Sequence, residues 1–300
     1  MNYTDFIIEI KKFLQTIRIE RNISVHTLRA YESDLGQVAL FWQETHQKES
    51  SFFVIKTIFD RYIKALSCKK ISKRSIARKM SCFTSFGRYI KRTKGLDIPF
   101  DLARPRIEAR LPVVLTLDEA FFLLDKVHLP KAETLFPYRD KAILEILYAT
   151  GIRCSELVEL QLQDIDPINQ IIRIVSKRKK DRLIHLGADC KKKLDLYITH
   201  ERIKPRTSTE FLFLNYKNEQ LTTRSVQRIC ALFTPYLESK KQITPHMMRH
   251  SCATHLIQQG VDLSQVQELL GHATRASTER YTQLIMRDKV TLEKALFKKI

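Results

Sequence analysis

Thr244-Pro245-His246-Met247-Met248-Arg249-His250-Ser251-Cys252-Ala253-Thr254-His255-Leu256 opens a helix and loads its first turns with chemistry. Thr244 is an N-cap, and a proline at the first helical position has its φ preset and no N–H to lose. His246 and Arg249 stand i, i+3 on one face near the positive end of the helix dipole, where an anion is stabilised. Most of the pattern around this helix is also of helical period, with a few short strand-forming runs. The expectation is a mainly α fold with a small β-sheet.

Upstream, Thr116-Leu117-Asp118-Glu119 is a capping box that leads a helix through Leu124. A second helix spans about Tyr138 to Thr150 and stops at Gly151. Gln170–Val175 and Arg182–Leu186 are β-rich runs on either side of Ser176-Lys177-Arg178-Lys179-Lys180-Asp181, the pattern of a hairpin or short meander. Phe211–Leu214 is a further short strand candidate, and helices resume from Ala188, Thr223 and Leu263. Downstream lie Leu269-Leu270-Gly271-His272 and the polar segment Ser277-Thr278-Glu279-Arg280-Tyr281-Thr282.

Arg153 follows a helix-ending glycine, His272 follows another, and Tyr281 sits where nothing asks for a core aromatic. Guanidinium forks match phosphate oxygens, imidazoles move protons near neutral pH, and a tyrosine oxygen can be a nucleophile. Arg153, Arg249, His246, His272 and Tyr281 together therefore form a kit for covalent transfer of a phosphodiester. Each also has a plain structural reading: Arg153 can pair with Glu156, His246 can sit unused at a helix start, and Tyr281 can be half-buried at an edge. Order and spacing favour the set.

A metal site competes for the same helix, since His246 and His250 are i, i+4 and Cys252 and His255 follow. The segment has no carboxylate, and an arginine stands between the histidines, so no metal or other cofactor is expected. His250 and His255 read as structural side chains.

The first hundred residues are helical. Phe6, Ile10, Phe13, Leu14 and Ile17 recur at helical period, and Ser24 caps a second helix with Leu28, Tyr31, Leu35, Val38 and Trp42 inward. A third helix lies near Phe59–Leu66. A fourth runs from after Ser72 to Gly95, with Ile76, Met80, Phe83 and Ile90 on its apolar side. Lys73, Arg74, Arg78 and Lys79 near its start are either a solvated face or phosphate contacts. Pro99–Pro112 holds three prolines among arginines without periodicity and reads as an extended connector. The expected organisation is a helical domain over 1–98, a linker over 99–112 and a mixed domain over 113–300.

A formal net charge of +19 and a pI near 9.7 point to a polyanionic partner. A basic protein that is merely soluble, or one that sits on an anionic membrane surface, is the alternative that charge alone leaves open. No stretch reaches the roughly 18 apolar residues of a spanning helix, and the start of the chain does not read as a signal peptide. Cysteines at 68, 82, 154, 190, 230 and 252 form no Cys-x-x-Cys pair, which fits reduced thiols in a cytoplasmic protein.

Ala149-Thr150-Gly151-Ile152-Arg153-Cys154-Ser155-Glu156-Leu157, Pro245–Leu256, Val266-Gln267-Glu268-Leu269-Leu270-Gly271-His272 and Ser277–Thr282 together resemble the tyrosine recombinase (phage-integrase) family, in its bacterial Xer branch. The likeness runs the whole chain. It implies an N-terminal helical, SAM-like core-binding domain that clamps DNA and an α+β catalytic domain with a C-terminal tail helix. It further implies that Tyr281 attacks the scissile phosphate to give a 3′-phosphotyrosine. Arg153 and Arg249 would brace the phosphate oxygens, with His246 and His272 assisting, and Lys177 resembles the family's general acid. The hairpin departs from relatives that carry glycines beside that lysine, so Lys179 and Lys180 stay open as acids, with alignment favouring Lys177.

The resemblance also implies resolution of chromosome dimers at replication-terminus sites on double-stranded DNA. The partners would be recombinase protomers in a tetrameric synapse, a sister recombinase and a septal DNA translocase. An integrase or resolvase of a mobile element is the alternative within the fold. A DNA-binding protein that does not cut is the alternative from another class, and a type IB-like topoisomerase is a third. Gln283 and the tail Ala295–Ile300 depart from many Xer proteins, which blurs the two paralogue types. The stripe Leu292, Ala295, Leu296 and Ile300 suits either a helix packed in cis or, as the resemblance implies and the reading favours, a tail helix that docks on a neighbouring protomer.

Overall fold

In the computed structural model, the residues described are 1–20, 23–45, 54–69, 71–98, 105–106, 112–130, 133–175, 181–202 and 210–271. The chain divides into two compact units, Met1–Ala109 and Arg110–Ile300. Most of the expected linker lies outside the described residues.

The first unit contains α1 (Tyr3–Glu20), α2 (Val25–Thr45), α3 (Val54–Cys68) and α4 (Lys73–Lys94). Local signals set the ends. Ser24 Oγ accepts from the Thr27 N–H at 3.1 Å, Ser72 Oγ accepts from the Ser75 N–H at 3.2 Å, and Gly95 closes α4 at φ 66°. That left-handed value suits a residue without Cβ. The four helices bury Phe6, Phe13, Trp42, Phe59, Phe83 and Phe86. Phe59 and Phe83 meet with ring centroids 4.6 Å apart, and Phe6 and Trp42 at 5.1 Å. Burying side chains of this size contributes about 1.5–3 kcal/mol each, before the entropy of ordering them.

The second unit is built around α6 (Pro137–Thr150), which packs against α8 (Ala188–His200), α9 (Thr223–Leu232) and α10 (Pro245–Gln258). Its buried residues run almost without a break from Arg139 to Leu147, because it is surrounded. Its charged groups are therefore paired. Arg139 Nε donates to Asp140 Oδ1 at 2.8 Å, and Glu145 accepts from Lys193 Nζ at 2.6 Å. The Thr116 capping box forms, with Glu119 Oε2 2.8 Å from the Thr116 nitrogen. The helix it starts, α5 (Leu117–Phe121), does not simply run on through Leu124: it widens into a π turn over Phe122–Lys126. Lys141 accounts for the difference, since its buried ammonium reaches the Leu123 carbonyl at 2.6 Å and also donates to that of Val127. Burial pushes the Lys141 amine down to about 8.

The sheet is antiparallel in the order β1 (Ile165–Asp166), β2 (Ile171–Ile174) and β3 (Arg182–His185). The two expected strands form, except that Gln170 adopts φ 54° and stays outside β2. It ends a turn in which Asp166 Oδ1 accepts from the N–H groups of Ile168 and Asn169. β1 has two residues, too short to leave an alternation.

Phe211–Leu214 is not a strand. It makes only the isolated bridges Gln161↔Phe211 and Leu214↔Gln220. Side chains take up three of its carbonyls: Tyr197 Oη donates to the Leu212 carbonyl at 3.1 Å, Arg202 Nη2 to that of Phe211 at 2.9 Å, and Arg139 Nη1 to that of Leu214 at 3.0 Å, while the Leu212 N–H and the Phe213 carbonyl pair with the backbone of Leu160 and Leu221. Among the described residues no helix is long and apolar enough to cross a membrane. All six cysteines are free thiols.

Candidate active site

Two helix stops and one helix start build the site. α6 ends at Gly151, φ 56°, and the chain turns through Ile152 into Arg153 before the short α7 (Cys154–Leu157). α11 (Leu263–Leu270) is capped at its start by Asp262 and ends at Gly271, φ 60°. α10 starts as the sequence predicts, with Thr244 Oγ1 accepting from the Met247 N–H at 3.1 Å and Pro245 first.

Arg153 and Arg249 both close on the end of α11. Arg153 Nη2 donates to the Gly271 carbonyl and Arg249 Nη2 to the Leu270 carbonyl, each at 2.7 Å. Arg249 Nη1 also donates to the Gly151 carbonyl, which ties the two helix stops together. These are carbonyls at a helix end, outside the intrahelical ladder and at the negative end of its dipole, where a guanidinium is stabilised. Gly151 and Gly271 permit the approach. A Cβ at Gly151 would lie 2.4 Å from Leu270 Cδ2, and one at Gly271 would lie 3.2 Å from Arg182 Nη1 and 3.6 Å from Arg153 Nη1.

The expected pairing of Arg153 with Glu156 is present, at 2.9 Å, alongside the contact to α11. Arg182 shares that carboxylate, with Nη2 2.7 Å from Oε2. Burial pushes the Glu156 carboxyl up, but the Arg182 and Arg153 hydrogen bonds outweigh it and hold the group below the usual carboxylate range. Among the described residues, Arg153 and Arg182 share the Glu156 carboxylate, and Arg249 adds a third positive charge at the same helix end. The surplus suits a phosphodiester, and bidentate guanidinium geometry suits its oxygens.

His246, the second residue of α10, is exposed, one turn before the buried Arg249. Its ring centroid lies 6.4 Å from that of His250. His255 is structural, as its place in the sequence suggests. Its Nε2 is 2.9 Å from the Leu115 carbonyl and must donate, so Nδ1 accepts from Tyr148 Oη at 2.8 Å. Burial holds its imidazole below the ordinary histidine value. Among the described residues no cluster of three or more His, Cys, Asp or Glu could hold a metal ion. Lys177, His272 and Tyr281, with Lys179, Lys180 and the tail stripe, lie outside the described residues.

The cations of α4 divide. Lys73 and Arg74 are exposed. Lys79 is buried, 2.8 Å from Asp34 Oδ1, and Arg78 Nη2 lies 2.9 Å from the same oxygen. Asp34 is almost fully buried, so Lys79 neutralises the core instead of facing DNA. The sequence conceals this because Asp34 sits on another helix. Arg182 escapes notice in the sequence for a similar reason: the first residue of a strand beside a basic turn looks like one more solvated cation.

The model of the phage integrase family matches residues 114–287, and that of its N-terminal SAM-like domain matches residues 10–94. The chain belongs to the phage integrase family. A tyrosine recombinase XerC of Syntrophus aciditrophicus is 36% identical over 290 residues, covering 91% of this chain and 92% of the relative. A tyrosine recombinase XerD of Staphylococcus haemolyticus is 35% identical over 279 residues, covering 92% and 93%. This recombinase is accordingly of Xer type. A crystal structure of the XerH site-specific recombinase bound to palindromic difH substrate shares the fold, with a TM-score of 0.74 at 22% identity over 96% of this chain and 84% of that one.

Proposed function

We propose that this recombinase cuts and rejoins double-stranded DNA at a specific site through Tyr281. The phenolic oxygen attacks the scissile phosphorus, and the bond to the 5′-oxygen breaks. A 3′-phosphotyrosine forms, and the departing oxygen takes a proton from Lys177. Arg153 and Arg249 brace the non-bridging oxygens while charge builds on them, and His246 and His272 hydrogen-bond the phosphate and assist proton transfer. Religation to a partner strand reverses the step and conserves the ester bond, so no ATP is needed.

The observation that carries this reading is the meeting of Arg153 and Arg249 on consecutive carbonyls, Gly271 and Leu270, immediately before His272 in the chain. Electrostatic preorganisation of this kind is the largest contribution to many such reactions. An unperturbed tyrosine has a pKa of about 10, so phenolate at pH 7 costs roughly 4 kcal/mol, which nearby cations reduce.

The 1–98 domain is read as a core-binding domain that uses Lys73 and Arg74 on DNA phosphates. The biological reading is resolution of chromosome dimers in the cytoplasm, in a tetrameric synapse with a sister recombinase and under a septal DNA translocase. The XerC and XerD names of the relatives support the chromosomal role.

A nicked duplex that traps the covalent intermediate tests the chemistry. Tyr281→Phe is expected to bind the duplex and form no adduct. Adduct at the wild-type level in that variant would remove Tyr281 from its role.

A further inference from the structure

Arg182 belongs to neither of the helix stops that build the site, yet its side chain is only 9% exposed and lies among them. Its backbone pairs with Ile174 in the last register pair of β2 and β3. Its guanidinium crosses to α7, where Nη2 is 2.7 Å from Glu156 Oε2 and Nη1 is 3.4 Å from Oε1. The same Nη1 would be 3.2 Å from a Cβ at Gly271. The Nε–H of Arg182 is buried with no acceptor among the described residues. Glu156 satisfies two of its donor groups and leaves this one, so its own hydrogen bonding accounts for only part of its placement.

Its effect on Glu156 supplies the explanation. That carboxylate is 11% exposed and has two arginine neighbours. Oε1 accepts from Arg153 Nη1 at 2.9 Å, and Oε2 accepts from the Arg153 backbone N–H at 3.0 Å. With Arg182 removed, a buried carboxylate would face Arg153 alone. The Arg153 fork would then turn to take both oxygens, which is the preferred arginine–carboxylate geometry, and would give up the Gly271 carbonyl. Its charge would be spent on Glu156.

We infer that Arg182 is a positioning residue for strand transfer: by neutralising Glu156 it keeps the Arg153 guanidinium aimed at the end of α11 and its charge available to the scissile phosphate. The inference rests on the reading of Arg153 as a phosphate brace. A purely structural arginine would have no preference for the charge carried by the substrate, and that difference is measurable.

The test is single-turnover cleavage of a nicked duplex carrying either an ordinary phosphodiester or a neutral methylphosphonate at the scissile position. The proteins are wild type, Arg153→Ala, Arg182→Gln and Arg182→Lys. A neutral phosphorus centre needs no brace, so Arg153→Ala is expected to be slow on the diester and largely restored on the methylphosphonate. Arg182→Gln is expected to follow it, losing about tenfold or more on the diester, an effect of the size electrostatic catalysis supports, and recovering on the neutral substrate. Arg182→Lys keeps the charge without the fork and should fall between, which holds the test open if Arg182→Gln folds poorly.

Arg182→Gln equally slow on both substrates, while Arg153→Ala recovers, overturns the inference and leaves the reading of Arg153 intact. Wild-type rates for Arg182→Gln on the diester also overturn it. No recovery by Arg153→Ala brings down the reading of Arg153 first and the inference with it.

Discussion

Arg153 and Arg249, from different helices, end on neighbouring carbonyls of one helix terminus, Gly271 and Leu270, each at 2.7 Å. The α11 terminus therefore acts as a jig. It takes two cations that would repel each other in isolation and sets them side by side by giving each an acceptor. The Gly151 carbonyl, bonded to Arg249 Nη1, locks the α6 terminus into the same arrangement.

Gly151 is the tightest point of that jig. An alanine there would combine a φ of 56° with a Cβ 2.4 Å from Leu270 Cδ2. Gly151→Ala is expected to lower the stability of the second unit by about 2–5 kcal/mol, from left-handed strain plus overpacking. Cleavage should fall further than stability, because α11 must shift and carries acceptors for both arginines. Urea unfolding alongside single-turnover cleavage checks this. Equal and small losses in both would show that the glycine matters only to the backbone.

The basic start of α4 separates by burial. Lys73→Ala with Arg74→Ala should leave the melting temperature unchanged and reduce the slope of log K against log salt by roughly 0.9 for each lost phosphate contact. Lys79→Met removes a buried partner of Asp34 and should destabilise the first unit by about 2–4 kcal/mol, moderated because Arg78 still faces the carboxylate. Thermal unfolding and salt titrations of DNA binding separate the two classes. A salt slope in the double variant equal to that of wild type would take Lys73 and Arg74 off the DNA.

Lys141 gives the second unit a pH signature. Its amine is lowered from 10.5 to about 8 in the folded chain, chiefly by burial. Between those values the unfolded chain holds the proton that the folded chain has lost, so stability rises with pH across the window and the burial penalty is fully present below about 8. Each tenfold change in proton affinity is worth about 1.4 kcal/mol, so the gain approaches roughly 3–4 kcal/mol once the pH passes the ordinary lysine value. The stability of wild type relative to Lys141→Met, followed by urea unfolding at pH values from about 7 to about 10, should increase with pH across that window. A difference that stays level would place the Lys141 amine at its ordinary value.

Much of this molecule is legible along the chain because the signals involved are short-ranged. Thr244 with Pro245, Ser72 with Gly95, the Thr116–Glu119 box and Gly151 each act within one helical turn, and helices begin or end where they stand. Two departures have a common cause. The Phe211–Leu214 segment has the composition of a strand, but Tyr197, Arg139 and Arg202 from distant positions take up its carbonyls. The π turn at Phe122–Lys126 exists beside Lys141, an ammonium carried by another helix.

Taken alone, the order of residues determined where helices begin and stop, which side chains could handle a phosphate, and that the chain is strongly basic. Capping, helical period and net charge are properties of neighbouring residues or of simple sums. Tertiary structure decided which of those cations are available. It consumed Lys79 on Asp34, set Arg182 against Glu156, and brought Arg153 and Arg249 to one helix end. Charge pairing is fixed by distance through space and by burial, and neither is written in the spacing along a chain.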